Sequence, residues 1–510
     1  MNEDPTGEKR LTWNVAVSWM TQLVTIVIGF LMPRLIDESL GQVQLGIWDF
    51  GWAIMSYLSL VNIGLGANAN YYVATFNAEG DHKRLNEVLS SAHFVQVLVT
   101  ILVVLVSVAL YYSLPVWLSD TIAEHIEDTQ LMVFFLGLSI ATQMLFDAYR
   151  GLMTGVHRWD VHHGINTLHH TLSAVGMVGT LLSGYGLVAM AVVYFVSTLV
   201  AEIIRYFAAR HFCPQANLRF RLANWVDTRR VAVFSIKNLV AMVGPLGVQQ
   251  TVSLLITLRL GPTALAMFAR PTALIRHLDI FVSKFAFVIM STTSSLKGMG
   301  RSDELRSFAI EMSRIGWALA IPAGVFLMVA GPSLIELWMG EDYVVVDLMV
   351  LLAAAGCLTA ASRPAYRILF GLDQHGTVAM PSLIIYLSSL AIGVAVLMMT
   401  EVTLLGAALV YVVGDVIFNA IVVPYQLSRV IGVSFFRYLW QVSYQALAIG
   451  AVSYAVLSYV VPAGLGNLAL DIGFAALVHG TLVAVLYWFF LLTDAQKSRI
   501  WSLMPFARSA

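Results

Sequence analysis

Residues 148–155 read Ala-Tyr-Arg-Gly-Leu-Met-Thr-Gly, and residues 365–371 read Ala-Tyr-Arg-Ile-Leu-Phe-Gly. Each Ala-Tyr-Arg ends a long apolar run. Gly155 lies five positions after the first arginine, and Gly371 lies four positions after the second. Other similar segments are 220 positions apart. Residues 77–85 match 297–305, and the apolar run that opens near Leu11 has a counterpart near Val231. The pattern predicts one membrane unit that is used twice in the same orientation.

The composition is that of a chain that lies mostly in a membrane. Hydrophobic residues make up 59% and charged residues 12%, with a mean hydropathy of +0.79, whereas a soluble domain has about 25% charged residues. No alternation typical of a barrel appears, so we predict an all-α polytopic membrane protein. About fourteen apolar runs are each long enough to cross roughly 30 Å of hydrocarbon. They lie at residues 11–36, 43–66, 92–117, 130–154, 163–183, 187–209, 231–257, 263–292, 310–331, 346–370, 378–399, 403–425, 440–461 and 467–493.

The fourteen runs divide into six, six and two. We expect an N-terminal six-helix lobe at 1–209 and a C-terminal six-helix lobe at 231–425. Between them, residues 210–230 form the longest connection, and their shift toward Arg, Asn and Pro predicts a basic linker. Two additional helices and a tail, residues 426–510, match neither half. The first run is too long for a signal peptide and no cleavage site follows it, so no cleavable signal is expected.

Lys and Arg residues lie in alternate loops. Most of the 29 are in loops on one side, including six arginines between positions 205 and 230. The loops on the other side hold Arg34 and Arg259. The positive-inside rule therefore places both termini in the cytoplasm. The outer loops are short, and none could form a soluble domain.

Several function classes leave no mark in the sequence. The formal net charge of −1 gives no general signal for nucleic acid or another charged partner. Cys213 and Cys357 offer neither a disulfide framework nor metal-ligand spacing. Gly-rich segments lack the Gly-Lys-Ser/Thr ending of a phosphate-binding loop, which argues against ATP hydrolysis. No large outer loop carries paired carboxylates. We therefore expect a protein without a cofactor that is a transporter and not an enzyme.

Three segments resemble those of a known family. They are Arg34-Leu-Ile to Gly46-Ile-Trp48 at the first outer hairpin, Gly64-Leu-Gly66 to Arg84-Leu-Asn86 after the second span, and Gly151-Leu-Met-Thr-Gly155-Val-His-Arg158. They resemble bacterial polysaccharide flippases of the multidrug/oligosaccharidyl-lipid/polysaccharide exporter superfamily, and the similarity covers most of the chain. The resemblance implies two six-helix lobes around a V-shaped cavity and export of lipid-linked sugars by alternating access. The two extra helices fit the fourteen-span polysaccharide group.

The eighth predicted span carries the most charge. A charge at mid-helix costs about 2.5–3.5 kcal/mol on insertion scales, so it needs a reason. Arg270, His277 and Lys284 are spaced by seven and share a helix face, while Arg276 and Asp279 are three apart, within reach of an ion pair. A cationic series of this kind suits a diphosphate, which guanidinium groups bind bidentately. The alternative is that these groups pair with neighbouring helices, and Lys284 can extend to the inner surface.

Three further residues are candidates for a gate or a cavity. Asp49 has its repeat counterpart at position 269, next to Arg270, so an Asp49–Arg270 pair is expected as an outer gate or a static contact. Arg34 lies at the outer mouth, where it attracts a pyrophosphate or anchors at lipid headgroups. Lys237 makes the seventh span polar, and Gly244-Pro245 would kink that span.

Five histidines cluster between positions 157 and 170: His157, His162, His163, His169 and His170. No cysteines or paired acids accompany them in a compact ligand motif, so no metal site is predicted. A protonated cluster could bind phosphate at the inner mouth. The favoured interpretation is a solvated helix start.

The expected function is to flip a polyprenyl-diphosphate oligosaccharide across the bacterial plasma membrane for a surface polysaccharide such as an exopolysaccharide or O-antigen. The expected partners are this substrate, membrane lipids, a polysaccharide polymerase and glycosyltransferases. One alternative is a cation-coupled multidrug antiporter, which an acid-rich cavity would favour. Alternatives from other classes are a membrane glycosyltransferase or ligase, and a scaffold that recruits assembly enzymes through its basic loops.

Overall fold

The computed structural model describes residues 11–60, 72–73, 75–76, 79–287, 289–374, 376–461, 466–494 and 496–498. Within these residues the chain is helical and no strand is assigned, as the apolar runs predict. In the first part of the chain the helices are α1 Leu11–Leu40, α2 Gln42–Leu60, α3 His82–Ile122, α4 Ile126–Leu145, α5 Asp147–Gly155, α6 Trp159–Leu182, α7 Leu187–Phe212 and α8 Trp225–Leu260.

The second part of the chain begins with α9 Pro262–Phe287, α10 Ile289–Gly298, α11 Ser302–Met339, α12 Val346–Ala361 and α13 Arg363–Gly371. It continues with α14 Gly376–Met399, α15 Leu404–Val416, the π-helical turn Ile417–Val422 and α16 Val423–Val430. The two additional helices are α17 Phe435–Val460 and α18 Leu468–Leu486, and a second π-helical turn, Tyr487–Leu491, follows them.

Over the described residues every predicted span overlaps one helix or consecutive helices, but the helices differ in how apolar they are. Among the described residues, ten helices are long and apolar enough to cross a membrane. They do not include α2, α6, α8 or α9. The last of these contains Arg270, Arg276, Asp279 and Lys284, which lower its hydropathy. The number fourteen therefore stays a prediction, while the multi-pass, all-α architecture is confirmed.

The chain divides into two compact units, residues 1–266 and 267–510. In the first unit α3 packs on α4, α4 on α7, and α1 on α6. Helix α8 packs against α2 and α3 and so belongs to this unit. The compact units thus divide later in the chain than the predicted 210–230 linker, and the six-helix lobes at 1–209 and 231–425 stay a prediction.

In the second unit α11 is the central helix. It packs on α12 and on both additional helices, α17 and α18. Tyr438 in α17 donates a hydrogen bond of 2.8 Å to Ser313 in α11, and both residues are buried. Gln496, beyond α18, donates one of 2.8 Å to Glu311 in α11. The two additional helices therefore form part of this unit.

The repeat seen in the sequence recurs in the backbone of the two halves of the chain. Helices α5 and α13 have nine residues each, and α6 and α14 have 24 residues each. Gly41 and Gly261 end α1 and α8 with the same φ of +88°. Within the described residues the non-glycine residues with positive φ are His157 and Asp373, at φ 60° and 57°, two positions after α5 and α13. Equal helix lengths and equal turns support one unit used twice.

Candidate functional site

Helix α9 places the predicted cationic residues at different depths of the second unit. Arg270 is buried, with 3% of its surface exposed, and its guanidinium carbon lies 5.7 Å from the centre of the Trp338 ring. Arg276 is exposed, whereas His277 and Lys284 are half-buried. A guanidinium over a desolvated indole gains about 2 kcal/mol, which offsets part of the cost of burying Arg270. The helix thus presents one buried and one exposed arginine.

Asp279 forms an ion pair with a residue far along the chain. Its Oδ1 lies 2.6 Å from Nε of Arg363, the first residue of α13. The sequence predicts that Asp279 can pair with Arg276 in the same helix. The structure shows a pair between Asp279 and Arg363, which joins α9 to α13. Both side chains are about 30% exposed, so the pair is only partly buried. Asp279 therefore connects two helices in addition to lying beside Arg276.

Three remaining predicted residues lie elsewhere. Arg34 is half-buried in α1 and pairs with Glu38, Nε to Oε1, at 2.6 Å. Asp49 is half-buried in α2, in the first unit, so its predicted pairing with Arg270 stays a prediction. The backbone of Lys237 lies in α8, but its side chain lies outside the described part of the structure.

A polar cluster surrounds Asp415 at the end of α15. The carboxylate accepts hydrogen bonds from three side chains: Thr359 Oγ1 at 2.8 Å, Tyr386 Oη at 2.6 Å and Asn419 Nδ2 at 2.9 Å. The π-helical turn Ile417–Val422 begins two residues later, and such wide turns are frequent at functional sites. The cluster thus holds a carboxylate among neutral donors inside the second unit.

The first unit contains a polar cavity of about 200 Å³ between α4, α5, α6 and α7. Its centre is Arg205, 4% exposed, which donates to Glu202 at 2.9 Å, to Nδ1 of His162 at 2.8 Å and to Asn166 at 2.9 Å. Asp147, 2% exposed, pairs with Arg150 on the cavity wall. Buried charges are costly unless paired, and here each of the named charges has a partner of opposite sign.

The cavity overturns the interpretation of the histidine cluster as a solvated helix start. His162 is buried, and His157, His163, His169 and His170 are half-buried. His169 donates from Nε2 to Thr198 Oγ1 at 3.0 Å, because that hydroxyl itself donates to the Tyr194 carbonyl. These side chains are covered because α7 packs along α6. Over the described residues, no three His, Cys, Asp or Glu side chains are placed to hold a metal ion.

The polar clusters of the two units occupy the same positions of the repeat. The hydrogen bond from His169 to Thr198 in the first unit corresponds to the bond from Tyr386 to Asp415 in the second. Both members of the second pair lie 217 positions after those of the first. The sequence alone does not rank Asp147, Glu202, Asp415 and Asn419 as candidates, and it groups Arg205 with the loop arginines. The detectable signal was a Glu202–Arg205 pair inside an apolar run.

An apolar groove of about 540 Å³ runs between α9, α11 and α18 in the second unit. Leu274 and Phe281 of α9 line one wall, and Phe326 of α11 lines another. His277, His479 and Tyr487 are the polar side chains of this lining, and the His479 ring lies 5.5 Å from that of Phe326. The predicted site residue His277 therefore borders a mostly apolar groove.

Comparison with known proteins identifies the class. Residues 86–347, more than half of the chain, match the family described as "Polysaccharide biosynthesis protein". The chain therefore belongs to this family, and the predicted resemblance is confirmed. One relative is the uncharacterized membrane protein EpsK of Bacillus subtilis (strain 168), which is 20% identical over 434 residues, or 83% of this chain and 84% of that protein.

Solved structures share the fold at low identity. Lipid II flippase MurJ in an inward closed conformation has a TM-score of 0.69 and 12% identity, and the match covers 93% of this chain and 100% of that chain. An inward-facing multidrug resistance MATE family transporter of the MOP superfamily has a TM-score of 0.67 and 14% identity, with coverage of 82% and 99%. The likeness confirms the predicted fold class.

Proposed function

We propose that the protein flips a polyprenyl-diphosphate oligosaccharide from the inner to the outer leaflet of the bacterial plasma membrane. The observation that carries the proposal is that α9 has both an apolar surface and cationic side chains. Leu274, His277 and Phe281 of this helix line the apolar groove, while Arg270 and Arg276 add charge to the same helix. A hydrocarbon chain joined to a diphosphate needs both surfaces, because one end seeks apolar contact and the other seeks guanidinium groups.

In this proposal the arginines of α9 bind the diphosphate, and Lys284, Lys237 and Arg34 attract it along its path. The prenyl chain stays in lipid or in the groove while alternating access carries the headgroup across. Either an ion gradient or consumption of the product outside supplies the energy. The chain itself catalyses no reaction, both termini lie in the cytoplasm, and a polymerase and glycosyltransferases act before and after it.

A second candidate is a cation-coupled multidrug antiporter. The Asp415 cluster favours it, since a carboxylate held among neutral donors can exchange a cation. The exposed Arg276 opposes it, because a guanidinium in the path repels a cationic drug. The flippase would therefore carry an anionic substrate, whereas the antiporter would carry a cationic one.

The purified chain in lipid vesicles tests the two candidates side by side. We expect it to move a fluorescent prenyl-diphosphate disaccharide between leaflets, measured as accessibility to an impermeant quencher, and to leave ethidium where it is. Arg276→Ala should lower the rate for the diphosphate. Ethidium export against an imposed cation gradient, without movement of the diphosphate, would reject the flippase in favour of the antiporter.

A further inference from the structure

The connection between α7 and α8 is fastened to α3 through its backbone. We call residues 213–230, which run from the end of α7 into the first turns of α8, the strap. Four hydrogen bonds join it to three side chains on one face of α3. They are Asn86 Nδ2 to Gln215 O at 3.2 Å, Asn217 N to Asn86 Oδ1 at 2.7 Å, Arg219 N to Ser90 Oγ at 3.1 Å, and Asn224 N to Ser91 Oγ at 3.1 Å. The strap therefore has a fixed course along α3.

An ion pair fixes the end of the strap. Asp227, which is 0% exposed, accepts two hydrogen bonds of 2.8 Å from the guanidinium of Arg84 in α3. Asn224 donates a further one at 2.7 Å, and Arg230 lies 3.5 Å away. Asp227 is the one acidic residue in the sequence from 213 to 230. The negative charge of Asp227 is thus neutralised inside the protein, and the exposed charges of the strap are positive.

Although the backbone of the strap is bonded to α3, several of its side chains lie at the surface. Arg219, Arg221 and Arg229 are exposed, and so are the large apolar side chains between them. Those side chains are Phe220, Leu222, Trp225 and Val226, with Trp225 77% exposed. Phe220 is held by stacking on His93 at 5.8 Å. The result is one surface on which guanidinium groups alternate with aromatic and aliphatic groups.

This surface lies where α7, one of the ten apolar helices, ends and α8 begins, on the side that the positive-inside rule assigns to the cytoplasm. Tryptophan is enriched at this depth because its ring is apolar and its N–H is polar. Clustered arginines there are attracted to anionic lipid, by about 1 kcal/mol for each residue. We propose that the strap is a binding surface for anionic phospholipid headgroups. Arg219, Arg221 and Arg229 contact the phosphates, and Phe220 and Trp225 insert at the acyl boundary.

Lipid retention by the purified full-length chain tests the assignment. The probes are phosphatidylglycerol and phosphatidylcholine, and bound lipid is counted by native mass spectrometry after titration. The test variant replaces Arg219, Arg221 and Arg229 with Gln. The control replaces Arg301, Arg429 and Arg437 with Gln, which removes the same charge from exposed arginines elsewhere.

The wild type and the control should prefer phosphatidylglycerol, and this preference should fall on adding salt. The test variant should lose about fivefold in phosphatidylglycerol affinity for each arginine removed, with phosphatidylcholine binding unchanged. Equal loss in the test and control variants would overturn the proposal. So would unchanged lipid binding together with salt-sensitive capture of an acidic protein by the strap.

A second variant keeps every charge. Ser90→Ala with Ser91→Ala removes two acceptors that hold the strap on α3. If the fixed course of the strap presents the arginines, this variant should lose part of the preference for phosphatidylglycerol. A double variant that is monodisperse on gel filtration and retains the full preference would overturn the role of the fixed backbone.

Discussion

Asp147 and Arg363 are the first residues of two nine-residue helices that occupy the same place in the repeat, and they carry opposite charges. Asp147 pairs with Arg150 inside the first unit, whereas Arg363 pairs with Asp279 inside the second. The two short helices thus begin with side chains of opposite charge, and each side chain pairs within its own unit. A substitution at either position should consequently act on one half of the molecule.

Removing the arginines of α9 should stop transport without unfolding the protein. We expect Arg270→Ala or Arg276→Ala to reduce surface polysaccharide by about tenfold to a hundredfold, because a charged hydrogen bond is worth about 1.5–3 kcal/mol. Lysine should restore part of the activity, since it lacks the planar fork. Polysaccharide is measured on cells with matched protein levels, and Arg437→Ala is the control. Normal polysaccharide in the double alanine variant would refute the role.

The proposed gate predicts a charge-swap rescue. Asp49→Arg or Arg270→Asp alone should impair export, because in the predicted pair each leaves two like charges facing each other. The double exchange should restore part of it. Export is measured as polysaccharide at the cell surface. A double variant that is no better than the worse single variant argues that Asp49 and Arg270 are independent.

The Asp279–Arg363 pair should stabilise the second unit. Both groups are partly exposed, so we expect Arg363→Gln to cost about 1–3 kcal/mol, less than a fully buried pair. The Tm in detergent measures the loss, and Asp279→Asn in the same chain should cost little more, because its partner is already gone. Arg301→Gln breaks the more exposed pair with Glu304 and should cost at most about 0.5 kcal/mol. Equal shifts in Tm for Arg363→Gln and Arg301→Gln would contradict the prediction.

The topology can be tested at Phe220, which is 57% exposed. Phe220→Cys should react with a permeant maleimide and resist an impermeant one in intact cells, as expected for a cytoplasmic residue. The native cysteines give a low background, because both are buried and burial raises the pKa of the Cys213 thiol to about 11. At pH 7.5 that thiol is almost wholly protonated and unreactive. Labelling from outside would place the strap on the other face of the membrane.

Gly46 should tolerate no side chain. A Cβ at this position would lie 1.9 Å from the carbonyl oxygen of Pro262, so Gly46→Ala forces backbone apart and should cost about 1–3 kcal/mol. Gly179, inside α6, has no atom within 4 Å of an added Cβ, so Gly179→Ala should be neutral or stabilising. Thermal unfolding of the two variants in the same detergent gives the comparison, and equal Tm values would show that the contact yields easily.

The sequence allowed the repeat and the all-α fold to be predicted because both rest on local patterns. Apolar length predicts a span, and Ala-Tyr-Arg marks the same short helix twice. The partner of Asp279 could not be predicted, because Arg363 is 84 positions away and only the packing brings the two together. The same holds for the polar cavity. The spacing of Glu202 and Arg205 predicts an ion pair within α7. The hydrogen bonds from Arg205 to His162 and Asn166 could not be predicted, because they depend on how α6 packs against α7.

The grouping of α8 shows a second limit. By sequence it is the counterpart of α1 and so opens the second half, yet it packs on α2 and α3. Sequence similarity shows which segments of the two repeats correspond. It does not show which helices cover the apolar face of a segment. The strap explains the difference in part, since Arg84 and Asp227 fasten the start of α8 to α3.

The π-helical turn Ile417–Val422 accounts for a difference in length between corresponding stretches of the two repeats. In the first repeat the corresponding helix is the 26-residue α7, and in the second repeat the stretch 404–430 has 27 residues. One inserted residue would rotate everything after it by about 100° in an α-helix, which would turn a buried face toward lipid. A π turn absorbs the surplus residue locally, so that Asp415 before it and Leu427 after it both keep their inward direction. The wide turn is therefore the place where this stretch accommodates one residue more than α7 without turning its buried face outward.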